Sequence, residues 1–293
     1  MRASTISLLL GVAAPAIAAA AYVTRPSTPT TVPPASAPRR YGAAIAIGRG
    51  HVRTYVVPGP RGTVLEVGVA LDEGALDGLP APSQTASHEG HMDMHMRDLP
   101  MPAGHGTPYR FVQFGWNPGG HEPAGVYDVP HFDFHFYTVP SADVAAVVPT
   151  DPRWAAKANR LPNDTDVPAG YAPAMPPGAA PADVAVPTMG LHWTSATAPE
   201  LQKAFGKPEA WRPFTATFIY GSWDGRFTFL EPMITRAHLL ERRSAEGAAR
   251  DQVIAISTPA RVAVPGQYPT AYRILWDDAA REYRVALTRL VAR

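Results

Sequence analysis

The chain has 293 residues, no cysteine, and 26 Lys plus Arg against 25 Asp plus Glu. That balance excludes the electrostatic footprint of a nucleic-acid or anionic-membrane binder. The missing thiols exclude disulfides, thiolate metal sites, cysteine nucleophiles and a lipid-modified cysteine. The 33 prolines are spread along the whole chain, which disfavours long helices and favours short strands joined by irregular loops.

Met1 and Arg2 precede an apolar, alanine-rich run from Ile6 to about Ala20 that ends in small residues. The run is shorter than a spanning helix and closes in A-x-A-like sequence, so residues 1–21 read as a signal peptide. The expected destination is periplasmic or extracellular, with no membrane contact beyond this segment. Residues 22–40 are rich in Pro, Ser and Thr and read as an extended, solvated linker. A single β domain is expected over residues 41–293.

Its first strand pair lies around the Gly48-Arg49-Gly50 turn, and Thr63 to Leu71 supplies the next alternating run. Ser87 to His105 then changes character. It holds His88, His91, His95 and His105 with Met92, Met94, Met96 and Met101. Thioether with imidazole suits copper(I), and imidazole alone suits copper(II) or zinc. His88, His91, Met92, Met94, His95 and Met96 therefore form a candidate second metal site, read equally well as a polar surface loop. His91-Met92-Asp93-Met94-His95 shares an H-x-D-x-H spacing with the next motif.

That motif, GWNPGGHEPAGVYDVPHFDFHFY over Gly115 to Tyr137, carries the most chemistry. In a strand, alternate side chains share a face. His131, Asp133 and His135 would stand exposed together on one face, with Phe132, Phe134 and Phe136 docking on a core. Residues four apart on a straight strand are roughly 13 Å apart, too far for both histidines to grip one ion. The options are a bend at Pro130, ligands from another strand, or Asp133 orienting an imidazole. His121, on a Pro/Gly turn just before the strand, is one candidate partner. His192 in MGLHW is the favoured third ligand.

Asp151 to Pro187 carries eight prolines and reads as loop, with a helical hint at Arg153 to Arg160. Ser141 to Val148 suggests one helical turn and Thr194 to Phe205 a short helix. FTATFIYGSWDGRFTFLE, Phe214 to Glu231, is the clearest hairpin, turning at Asp224-Gly225. Ser222 lacks a G-x-S-x-G nucleophile elbow, and Glu231, which could reach the metal face, is expected instead at a strand end in solvent. Tyr272 to Trp276 and Glu282 to Leu290 should pair antiparallel. The expected fold is all-β, a single antiparallel β-sandwich or flattened barrel with long proline-rich loops and one or two short helices.

GWNPGGHEP, PHFDFHFY, MGLHW, FIYGSWDG and EPMIT, in that order over residues 41–293, resemble an exported bacterial family of unknown function. The resemblance implies an extracytoplasmic β-rich domain and carries no activity with it; His88 to His105 departs from its pattern. A local likeness to cupins and α-class carbonic anhydrases, which hold metal with histidines on adjacent strands, is limited by their H-x-H spacing. The sequence thus suggests an exported protein that handles or senses a divalent transition metal, zinc or copper. The metal ligands would be His121, His131, Asp133, His135 and His192. A metal-dependent hydrolase or oxygenase using the same cluster, and a metal-free envelope protein, are the alternatives. A metal ion is the expected partner, nucleic acid is not, and a homo-oligomer is possible.

Overall fold

The computed structural model describes residues 28–82 and 94–293. The signal segment at 1–21, the first part of the linker, and His88, His91 and Met92 lie outside the described residues. In chain order the strands are β1 Arg40–Tyr41, β2 Ile45–Ile47, β3 Gly50–Pro58, β4 Val64–Asp72, β5 His95–Pro100, β6 Phe111–Asn117 and β7 His131–Tyr137. They continue as β8 Tyr171–Pro173, β9 Leu191–Ser195, β10 Ala216–Trp223, β11 Arg226–Thr235, β12 Asp251–Ala255, β13 Gln267–Asp277 and β14 Glu282–Ala292.

They form two antiparallel seven-stranded sheets. The first runs β1-β3-β4-β14-β13-β12, with β2 added beside β3, and the second runs β5-β6-β7-β11-β10-β9-β8. The sheets pack as a sandwich. Val67, Val69 and Leu71 of β4, Ile274 of β13 and Val285 and Leu287 of β14 share one core with Phe114, Phe132, Phe134, Phe136, Phe218 and Leu230 of the second sheet. The alternation Phe132-x-Phe134-x-Phe136 is what docks β7, since each fully buried aromatic contributes about 1.5–3 kcal/mol.

The β10–β11 hairpin turns at Asp224 and Gly225, both with positive φ, 51° and 83°, as a two-residue loop matched to strand twist requires. The proline-rich stretch packs along a sheet edge, where β8 pairs only with β9; proline is tolerated there because an edge strand needs fewer amide donors. Short helices Ser141–Ala145 and Trp154–Ala158 appear where helical turns were expected. Thr194 to Phe205 instead splits between β9 and a single 3-10 turn at Pro199–Leu201. Among the described residues the longest helix, Arg236–Ser244, was not anticipated, although Thr235 caps it by accepting from the His238 amide. Among the described residues, no helix is long and apolar enough to cross a membrane.

The described part of the linker is not a free tether. Thr30 exchanges hydrogen bonds with Leu290, and the carbonyls of Pro33 and Ala35 accept from the guanidinium groups of Arg273 and Arg284. Those arginines are 2 % and 1 % exposed on the outer face of the first sheet. Buried guanidinium donors need acceptors, and a proline-rich segment offers carbonyls while having few amides of its own to satisfy.

Candidate metal centre

The outer face of the second sheet carries the chemistry. On β7, His131, Asp133 and His135 share that face as the alternation requires, but they are not exposed: all three are at most 2 % accessible. Their cover comes from elsewhere in the chain. Tyr127 and Phe214 stand against Met233 and Ile219 at one end, and Phe111, Tyr137, Val144, Met189 and Phe229 pack together at the other.

Register then decides which residues meet. Met233 lies opposite Asp133 and Leu230 opposite Phe136, so Glu231 of β11 faces the position of His135. Glu231 is 2 % exposed, which corrects the expectation of a solvated strand end. His192 is brought in from β9, whose Gly221 partner on β10 pairs in turn with Phe229. His121 arrives on the turn between β6 and β7. That turn needs Gly120, whose φ is +73° and where a Cβ would lie 2.1 Å from the Tyr127 carbonyl oxygen.

The result is two triads rather than one cluster: His121, His131 and Asp133 form the first, and His135, His192 and Glu231 the second. Within each, one carboxylate spreads its two oxygens to two imidazoles. Asp133 Oδ1 lies 3.3 Å from His131 Nε2 and Oδ2 lies 3.9 Å from His121 Nε2. Glu231 Oε1 lies 3.3 Å from His135 Nε2 and Oε2 lies 3.8 Å from His192 Nε2. All donor atoms of a triad fall within 4.8 Å of one another. The single meeting point sought for residues 121 to 192 is therefore divided, as the strand rise between His131 and His135 demands.

Three of the imidazoles are held in one orientation. Nδ1 of His131 faces the Val129 carbonyl at 2.7 Å, Nδ1 of His121 faces the Glu122 carbonyl at 2.7 Å, and Nδ1 of His135 faces the Gln113 carbonyl at 3.2 Å. A carbonyl only accepts, so each Nδ1 carries a proton; Nε2 is then an acceptor when the ring is neutral and a donor to the carboxylate when it is charged. Asn117 Nδ2 donates to Asp133 Oδ2 at 2.7 Å. Yet His131 Nε2, Asp133 Oδ1, Glu231 Oε2 and Asn117 Oδ1 are buried without a hydrogen-bond partner. Among the described residues no Lys or Arg pairs with Asp133 or Glu231.

Burial and these neighbours set the protonation. Burial opposes charge on His131, but Asp133 outweighs it and raises the imidazole's pKa. Burial likewise works against the Asp133 carboxylate, and His131 more than compensates, holding it below the ordinary range. At the second triad burial wins: His135 is lowered, and His192 is pushed down to about 3 by burial and by the neighbouring His135 and His121. Burial, then the charge of Asp133, pushes Glu231 well above the usual carboxylate range.

The other sequence candidates divide. Met94 and Met96 reach the same face: a Cβ on Gly115, opposite Asp133, would lie 2.7 Å from Met96 Sδ and 3.5 Å from Met94 Sδ. His95 alternates away from them, pairing in register with Trp116. His105 bonds Thr107 in a turn and joins neither triad. Sequence reasoning missed Asn117, and it set the metal face aside for Glu231 in favour of solvent. The odd-numbered parity Phe229, Glu231, Met233 placed Glu231 on the outer face, but nothing local revealed that this face is covered.

Residues 60–116 match a family model described as TTHB210-like, hypothetical protein TTHB210. The match spans β4 to most of β6 and stops short of both triads, so the chain is similar to that family over less than half its length. No curated protein and no solved structure matches the chain.

Proposed function

We propose that this is an exported protein that binds a transition metal, zinc or copper, at the two triads, for handling or sensing the ion. The reading at residues 1–21 supports export. One observation carries the metal: imidazole nitrogens and carboxylate oxygens face one another at 3.3–3.9 Å. Charge-assisted hydrogen bonds close to about 2.7–2.9 Å. Ligands held about 2.1 Å from a tetrahedral ion stand about 3.4 Å apart. Groups at this spacing, with the second ring nitrogens of His121, His131 and His135 anchored on carbonyls as metal-bound histidines usually are, fit a cation placed between them.

The test is metal analysis of tag-free protein beside a His131→Ala/His135→Ala double variant. Stoichiometric zinc or copper in the wild type and its loss from a folded variant is the expected result. No bound metal, with no change in melting on adding either ion, sinks the reading.

A second reading is a metal-dependent hydrolase or oxygenase. Its support is that each triad supplies three protein ligands, two histidines and a carboxylate, which leaves positions for water or substrate. His121 and His192, with 16 % and 20 % of their side chains exposed, would mark the approach from solvent. Spectroscopy of a cobalt(II)-substituted protein separates the readings, because exchangeable water on the ion favours turnover and a saturated shell favours storage.

A further inference from the structure

One ligand of the first triad is not carried by the sheet. His131 and Asp133 are fixed by β7, whereas His121 stands on the turn between β6 and β7, with 16 % of its side chain exposed and the longer carboxylate distance, 3.9 Å. That turn is closed largely on itself. The Val126 and Tyr127 amides bond the Pro123 carbonyl, and the Ala124 amide bonds the Glu122 side chain. Such bonds shape a turn without fastening it to the sheet beside it. The residue that places His121 is Tyr127. Its carbonyl accepts from the His121 amide at 3.1 Å, and its ring lies 5.8 Å from the imidazole.

Tyr127 is in turn held by a residue far along the chain. Its hydroxyl donates at 3.2 Å to Oε1 of Glu200, 73 residues away, on the 3-10 turn Pro199–Leu201. Tyr127 and Glu200 are each 3 % exposed. A glutamate is seldom fully buried unless it is paired, and among the described residues no Lys or Arg pairs with Glu200. Burial pushes its carboxyl pKa up, which favours the neutral acid, whose carbonyl oxygen still accepts the tyrosine hydroxyl. The Tyr127 ring stands edge-on to Phe214 at 5.0 Å, and Phe214 lies 5.4 Å from His131. The phenol therefore has its polar tip anchored on Glu200 and its ring packed into the cover of the first triad.

We infer that Glu200 and Tyr127 are positioning residues of the first triad: their hydrogen bond latches the turn so that His121 reaches an ion held by His131 and Asp133. This rests on the metal-binding reading above. The second triad needs no latch, because His135, Glu231 and His192 all stand on strands. Losing a group that orients a metal ligand costs about tenfold or more in affinity, so the loss should fall on one triad and spare the other.

The test uses tag-free protein and zinc(II) alone, with each triad isolated: His192→Ala leaves the first and His121→Ala the second. Tyr127→Phe, which removes only the hydroxyl, should weaken zinc binding about tenfold in the His192→Ala protein and leave it within about twofold in the His121→Ala protein. Glu200→Leu should repeat that pattern. Glu200→Gln keeps an oxygen for the Tyr127 hydroxyl and should restore the first triad's affinity. Melting without metal reports which variants fold, and if Tyr127→Phe does not, the Glu200 pair decides. Unchanged affinity at the first triad in the folded variants overturns the inference. So does an equal loss at both triads, as a merely structural pair would give, or a loss in Glu200→Gln as large as in Glu200→Leu. In each of those cases zinc binding by the two parent proteins leaves the metal-binding reading standing, whereas parents that bind no zinc remove both.

Discussion

Both sheets bury ionisable groups on their outer faces, and they resolve the cost differently. On the first sheet, Arg273 bonds Glu66 at 2.9 Å and Asp251 at 2.5–2.7 Å, and Arg284 reaches Glu282 and Asp277. Arg53 and Tyr41 also donate to Glu282, and Tyr55 donates to Glu66. Glu66, Asp251, Glu282 and Asp277 each have a permanent cation beside them. On the second sheet Asp133 faces His131, whose pKa it raises, burial favours the protonated form of Glu231, and among the described residues no guanidinium pairs with either. Taking a charge out of water costs several kcal/mol unless it is paired. The first face is held together by permanent cations, and the second by imidazoles and a carboxyl whose charge changes with pH.

The largest effect should come from breaking the first face. Arg273→Met leaves Glu66 and Asp251 without their shared cation and the Pro33 carbonyl without its donor. Removing one partner of a buried pair costs about 3–5 kcal/mol. Urea denaturation should register that loss equally with and without added metal. A variant within about 1 kcal/mol of wild type would erase the contrast between the faces, since typical surface changes fall inside that range.

The second face should respond in the opposite sense. Glu231 holds a raised pKa because of burial and the charge of Asp133. In the fold it keeps a proton that the unfolded chain releases above about pH 4.5, so its stabilisation is present below that pH and is lost as pH rises through the folded pKa. Glu231→Gln has no proton to lose. Metal-free Glu231→Gln should melt at or above the wild-type temperature at pH 8. The same variant should lose the metal-induced rise at the second triad, worth about 2.7 kcal/mol when free ion is 100 times Kd. A drop in the metal-free melting point would mean that Glu231 is a structural partner like Glu66.

How much of this was legible in the sequence follows from where the information lies. Period-two alternation in Phe132 to Phe136 and the Asp224-Gly225 turn are local, and they fixed the strands and the shared face of His131, Asp133 and His135. Strand rise was readable and separates His131 from His135, but the sequence reading gathered all five ligands in one cluster, and the structure divides them into two. What paired with what was not. His192 meets Glu231 through two intervening strand registers, and the cover over β7 comes from Tyr127, Phe214 and Met189, none adjacent to it in sequence. Residues 28–40 looked solvated because composition reports their few apolar side chains. It does not report the arginines on β13 and β14 that need their carbonyls.

The smallest predicted effect tests the neutral state of His192 directly. Its pKa is about 3 in the fold, mainly through burial, against about 6.5 in an unfolded chain. Between those values the unfolded state binds the extra proton, so metal-free stability is fully present above about pH 6.5 and falls as pH drops through the window, by at most about 1.4 kcal/mol per unit from this group. His192→Gln should flatten that slope between pH 6.5 and 5 without changing the transition at pH 8. The slope left in the variant combines His135, which burial lowers in the same direction, with Glu231, whose raised pKa works in the opposite one. An unchanged slope would mean that the rim imidazole, with 20 % of its side chain exposed, takes up its proton in the fold as easily as in water. The second triad would then carry a positive charge at mildly acidic pH and lose the contrast with the first sheet, whose arginines are charged at every pH.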